Sequence, residues 1–195
     1  MEYLVYPTVK VENGDVMVAS EWNEEVRTRL EEGGKVLLTA RFGTLKNEGC
    51  DSVVVGFSSI FWNTLWTNGQ APHTLGILCN PEHAALKLFP TSFHSDYQWW
   101  DAMSHCNAIP LRKLGNVTPV VRIIDDWFKA RSLGMIVEVK IGKGSLMLCG
   151  VDLLTDTQKR PEATQMMNSL LDYMKSDLFN PTAVTTCAQV ESLFR

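Results

Sequence analysis

Nowhere in this chain do lysines and arginines cluster, and the formal net charge is −4. Nucleic acid and anionic membrane surfaces both need a concentrated positive field, so neither is expected as a partner. No apolar stretch approaches the ~18 residues that read as a spanning helix. The opening "MEYLVYPTVK" carries Glu2 and is broken at Pro7, so it lacks the basic start and apolar centre of a signal peptide. The expectation is either a cytoplasmic protein or a piece cut from a longer exported chain, periplasmic or exported in the second case. Cysteines 50, 79, 106, 149 and 187 form no C-x-x-C. Histidines 73, 83, 94 and 105 form no H-x-x-x-H or H-E-x-x-H. No metal and no cofactor is therefore expected.

What the chain has is a core. At 195 residues it suits one domain and can bury roughly 70% of its unfolded surface without staples. "EWNEEVRTRLEEGG" reads as a helix, with Asn23 as N-cap, acids in the first turn and Gly33 as the left-handed stop. "KVLLTA" follows at once as a continuous apolar run, the mark of a strand covered on both faces. "YLVYP" reads as a short strand before them, and Asn13-Gly14 as a turn or small hairpin. "TLGILC" reads as a further buried strand and "NPEHAALKLF" as a short helix with Pro81 at its first position. "TPVVRIID" is another strand, and "LGMIVEVKIGKGSLMLCGVD" a hairpin turning at Gly142-Lys143-Gly144. "RPEATQMMNSLLDYMKSDLF" is the strongest helix, stopped by Asn180-Pro181. The tail reads as a short helix with Val190, Leu193 and Phe194 on one side. Residues 1–181 are expected to form one domain, with 182–195 as its tail. Strands alternating with helices predict a three-layer, flavodoxin-like α/β fold: a mostly parallel sheet with an antiparallel edge hairpin.

The chemistry-bearing residues fall into two groups. Asp125, Asp126 and Asp152 stand at strand ends, where glycoside cleavage would need two carboxyl groups flanking one bond. Were strands 118–125 and 145–152 neighbours, Asp125 and Asp152 would share one sheet edge; otherwise such aspartates serve turns and caps. No G-x-S-x-G or cysteine elbow exists. Cys79 ends a strand four residues before His83, but Asn80-Pro81 lacks the small residues an elbow requires, so buried inert thiols are expected. The second group is aromatic. Of six tryptophans, Trp62, Trp66, Trp99, Trp100 and Trp127 fall in loops or at strand ends. Exposed indoles stack on sugar rings while neighbours such as His94 hydrogen-bond hydroxyls; buried ones fill a core or cover a domain interface. In "FPTSFHSDYQWWDAM" at most one of the paired indoles is expected to face outward.

The strings "FSSIFWNTLW", "TLGILCNPEHAALKLFPTSFHSDYQWWDAM", "PVVRIIDDWFKARSLGMIVEVKIGKGSLMLCGVDL" and "RPEATQMMNSLLDYMKSDLFNP" resemble the C-terminal accessory region of large bacterial glycoside hydrolase family 2, β-galactosidase-like proteins. At fold level the chain is also similar to trehalose-utilisation and class I glutamine amidotransferase-like domains. The first resemblance implies a non-catalytic accessory domain in carbohydrate degradation, serving domain packing, oligomerisation or sugar contact. Its partners would be the other domains of a parent glycosidase, an oligosaccharide, or a second copy. The family's catalytic glutamates lie in a barrel of ~250 residues that this chain has no room for, so no catalytic residue carries over. A carbohydrate-binding module using its tryptophans and a small hydrolase of amidotransferase-like fold are the alternatives.

Overall fold

The computed structural model describes residues 5–7, 11–46, 53–56 and 73–194. Asn13-Gly14 makes a turn, with Gly14 at φ +60°, and leads into β1 (Val16–Ala19) rather than closing a hairpin. Residues 5–7 hold no strand, so the described part of "YLVYP" stays irregular. Helix α1 (Glu24–Glu31) starts where Asn23 accepts the Val26 amide, and Gly33, at φ +94°, turns the chain into β2 (Lys35–Thr39). This strand–helix–strand unit is parallel, as the crossover requires, with Val16 beside Lys35 and Ala19 beside Leu38.

Beyond residue 73 the order is β3 (Gly76–Cys79), a 3-10 turn over Ala84–Leu86, α2 (Trp99–Ser104) and β4 (Ile109–Pro110). Then come β5 (Val121–Ile124), β6 (Leu133–Ile141), β7 (Gly144–Cys149), α3 (Pro161–Lys175) and α4 (Cys187–Glu191). The expected helix over 80–89 shrinks to that one 3-10 turn. Asn80 spends its side chain on the Glu82 amide, and His83 caps Ala85. Helix α3 stops at Lys175, short of the expected 179, because the Tyr173 carbonyl accepts both the amide and the hydroxyl of the extended Ser176.

The sheet runs β1-β2-β7-β6-β5-β3, with β4 on β6. Two expectations are corrected here. The sheet is mixed, not mostly parallel: β1–β2 and β2–β7 are parallel, while β7–β6, β6–β5, β5–β3 and β4–β6 are antiparallel. The β6–β7 hairpin lies in the middle of the sheet, not at its edge. The reason is local: a tight turn through Gly142, at φ +58°, forces β6 and β7 antiparallel, and β7 then offers its free edge to β2. β3 is not covered throughout either, since Leu78 is 45% exposed near the sheet's rim.

Helices cover both faces. In β2 the side chains alternate: Leu37 joins a core with α3 (Leu170, Leu171, Met174) and α2 (Trp99, Met103), while Val36 and Leu38 join a second core with α1 (Val26, Leu30). Val190 of α4 and Leu193 pack into that second core too, so residues 182–194 are built into the same body rather than trailing from it. A bulge in β6 between its Val121 and Arg122 partners puts both Met135 and Ile136 into the α3 core.

The close seat of α1 on the hairpin depends on Gly144, where a Cβ would collide with the Leu30 carbonyl. Gly144→Ala is expected to lower the urea unfolding free energy by about 2–4 kcal/mol. Gly142→Ala, which meets no neighbouring atom but strains a left-handed turn, should cost only about 1–2 kcal/mol.

Candidate functional site

Strands β2, β5 and β7 all finish at the same end of the sheet, the end at which open α/β sheets hold their ligands. β6 lies between β5 and β7, and β4 pairs with the same stretch of β6, so the neighbouring strands that would join Asp125 to Asp152 do not exist. Each aspartate serves its own loop. Asp125 takes a two-pronged contact from Arg131, Nε at 2.8 Å and Nη2 at 2.9 Å, plus the Arg131 amide at 2.6 Å. Asp126 accepts the amides of Phe128 and Lys129 and touches Arg131 Nη2 at 3.2 Å. Asp152 accepts the Leu154 and Thr155 amides, the Thr155 hydroxyl and the Phe42 amide. Burial alone would raise the Asp125 and Asp152 carboxyls. Arg131 outweighs it for Asp125, and the Thr155 and Leu154 hydrogen bonds for Asp152, so both sit below the ordinary carboxylate range. These are loop-fixing carboxylates.

Three residues that the sequence reading passed over hold this end together. The Asn107 amide donates to the carbonyls of Ala40, Arg41 and Gly150, and its oxygen accepts the Gly43 amide. Thr39 bridges Val151 and Leu153. Buried Arg160 grips Asp101 through Nε and Nη2 and the Asp152 and Thr155 carbonyls through Nη1.

The aromatics divide sharply. Trp99 is wholly buried, edge-on to Phe89 at 5.2 Å, with Nε1 donating to Thr91 Oγ1 at 2.7 Å. It is core and meets no ligand. Trp100 is 57% exposed and lines a pocket of about 170 Å³ with Val54, Gly56, His73 and Met103. Trp127 and Phe128, 67% and 68% exposed, form the tip of the loop that Asp125, Asp126 and Arg131 shape. Residue 73 and Leu75 lie at this end as well, the Leu75 amide reaching the Ile124 carbonyl, so Trp100 and Trp127 share one end of the sheet. His94 does not join them: it bridges to Leu78 on the outer side of β3 and stacks edge-on with Phe93. Trp62 and Trp66 lie outside the described residues.

A second concavity, about 810 Å³, opens near the opposite end, where β3 finishes and β5 begins; Cys79, His83, Asn116, Arg122, Glu138 and Thr182 are among its walls. Cys79 and His83 do come together there. The thiol, however, is pushed up to about 11, chiefly by burial and then by Asp96, and donates to the Ser92 carbonyl. Burial likewise pushes Cys149 up to about 12 and Cys106 well above its ordinary value. Raised in this way, the thiols rest protonated at neutral pH, the weaker nucleophilic form. Among the described residues no group of three or more histidine, cysteine, aspartate or glutamate side chains is placed to hold a metal ion. No described helix is long and apolar enough to cross a membrane.

The family model described as Domain of unknown function (DUF8487) matches residues 17–195, running past residue 181 through α4 to the last residue. No curated protein matches the sequence.

Two outcomes follow from the site's electrostatics. Asp125→Asn should cost roughly 2–4 kcal/mol at pH 7, because it removes the two-pronged carboxylate from the half-buried Arg131 cation and leaves it the longer Asp126 contact. Since the folded carboxyl lies below its unfolded value, that stability is complete above about pH 4 and is lost as pH falls through the lower folded value. Urea titrations of native and Asp125→Asn protein should therefore converge below about pH 4. Cys79, Cys106 and Cys149 should resist a thiol reagent at pH 8 in the native protein and react in denaturant, as mass mapping of the labelled peptides would read; native labelling of Cys79 would restore the hydrolase reading.

Proposed function

We propose that this chain, which belongs to the DUF8487 family, is a non-catalytic accessory domain that meets its partner through the aromatic end of its sheet. The observation that carries this reading is a division of labour at that end. Polar groups there, Asp125, Asp126, Asp152, Arg160 and Asn107, are engaged in holding loops, while Phe42, Trp100, Trp127, Phe128 and Leu154 stand exposed. Rigid loops that present indole and phenyl faces suit recognition, because little side-chain entropy is lost on contact. Resemblance to the accessory region of glycoside hydrolase family 2 proteins supplies the setting: a domain of a carbohydrate-degrading enzyme, packing against that enzyme's other domains or a second copy. A flavodoxin-like or amidotransferase-like kinship belongs to the same proposal, supported by the parallel β1–α1–β2 unit with β7 beside it and by helices on both faces.

A second reading, sugar contact, is favoured by one feature. Trp100 borders a pocket of about 170 Å³ with His73 and Ser104 beside it, an indole wall with polar neighbours.

Purified protein should turn over no nitrophenyl glycoside; turnover abolished by Asp152→Asn would overturn the non-catalytic reading. Titration with galactose, lactose and a glucuronide, followed by tryptophan fluorescence, separates the two contact modes. A saturable change lost in Trp100→Ala supports sugar contact. No change at ~10 mM sugar, with concentration-dependent self-association weakened about tenfold in Trp127→Ala, supports a protein-facing role.

A further inference from the structure

The 810 Å³ cleft arises from a fork along one edge of β6, at the other end of the sheet from the aromatic rim. β5 covers that edge from Leu133 to Ile136 and begins at Val121. Further along, the chain near Val184 covers the same edge at Lys140, whose amide donates to the Ala183 carbonyl and whose carbonyl accepts the Thr185 amide. Between these two covers no described strand pairs with this edge, and Glu138 lies in the gap with Val120 on one side and Ala183 on the other. The volume falls within the ~300–1,000 Å³ typical of small-molecule sites.

Its lining has an uncompensated cation. Arg122 interrupts the apolar run of β5 and is half-buried, yet its cross-strand neighbours are Leu78 and Gly134, neither of which can accept its charge. Among the described residues no ion pair or hydrogen bond reaches its guanidinium. A partly desolvated arginine with five donors and no acceptor is incomplete. The other walls are mostly donors. His83 Nδ1 accepts the Ala85 amide, so the neutral ring carries its proton on Nε2. Asn80 spends its oxygen on the Glu82 amide and keeps its NH₂. Glu138 supplies the acceptor side, held in place by the Tyr173 hydroxyl at 2.8 Å.

We infer that this cleft binds a small hydroxylated carboxylate, its carboxylate on Arg122 and its hydroxyls shared between Glu138 and the Asn80, His83 and Asn116 donors. Charge disfavours a phosphate dianion: Arg122 can neutralise a single negative charge, and Glu138 across the lining repels a second one. The inference is independent of the aromatic end and goes beyond the accessory reading, since it assigns a ligand to a different site.

Calorimetric titration of the full chain with glucuronate, glucose and inorganic phosphate tests it. Saturable glucuronate binding is expected, weakened about tenfold or more both in Arg122→Gln and when glucose replaces glucuronate. Arg122 packs against no partner charge, so the ligand-free melting temperature of Arg122→Gln should match the native one. Amide chemical shifts of the native protein should move near residues 79–83 and 116–122 on adding glucuronate, which keeps the test alive should the variant fail to fold. Equal binding of glucose, tighter binding of phosphate, undiminished binding by folded Arg122→Gln, shifts confined elsewhere, or no heat at ~10 mM glucuronate would each overturn the assignment.

Discussion

The pairing of β6 with β7 is the contact on which the rest of the molecule hangs. A tight turn at Gly142 sends the chain back along itself, and the register from Ile136–Cys149 to Ile141–Gly144 aligns two strands buried on both faces. Each then has one edge left. β7 gives its edge to β2 in parallel, which brings in the β1–α1–β2 unit; β6 divides its edge between β5 and the chain near Val184. The sheet is mixed because short connections on either side of β6 force β5 and β7 antiparallel to it, whereas β2, far earlier in the chain, meets β7 in parallel. The fork in β6 that opens the large cleft is a consequence of the same sharing.

At the other end, polar side chains substitute for regular structure. Loops around residues 40–43, 105–108 and 150–156 pair only in part, through the Cys106–Val151 bridge and its flanking backbone bonds, and unpaired buried amides and carbonyls are costly. Asn107, Thr39, Arg160 and Asp152 satisfy them instead. The same economy sets the 125–131 loop, where the Arg131 fork on Asp125 closes a turn whose tip exposes Trp127 and Phe128. Residues that looked available for acid–base work are thereby committed to shape. What this end exposes is apolar surface on loops fixed by hydrogen bonds.

Local signals were readable wherever one element's own residues decide its form. Asn23 and Gly33 bound α1 as their cap chemistry demands, the alternating run through Val137 and Val139 made a strand, and Pro161 opened α3. Reading failed where a neighbour decides. The short helix α2 has no side-chain cap at Gln98, and it exists because Trp99 and Met103 have a core to enter. The stretch 80–89 had helix-like caps, but those side chains turned to single amides. The odd charges inside "VVRII" and "IVEVKI" were the one visible hint of the cleft, since a charge in an apolar strand needs an opening or a partner.

The sequence by itself determined an α/β chain with two-sided apolar strands, capped helices and a hairpin, because periodicity and capping are properties of neighbouring residues. It also limited the Trp99-Trp100 pair: consecutive residues of a helix point in different directions, so one buried indole leaves the next outside. Only the tertiary structure decided which indole was which, that the hairpin is central, that Asp125 and Asp152 are kept apart, and that Arg122 and Glu138 line one cleft. Those facts depend on which strand edges meet, a choice made by long-range pairing that no local pattern encodes.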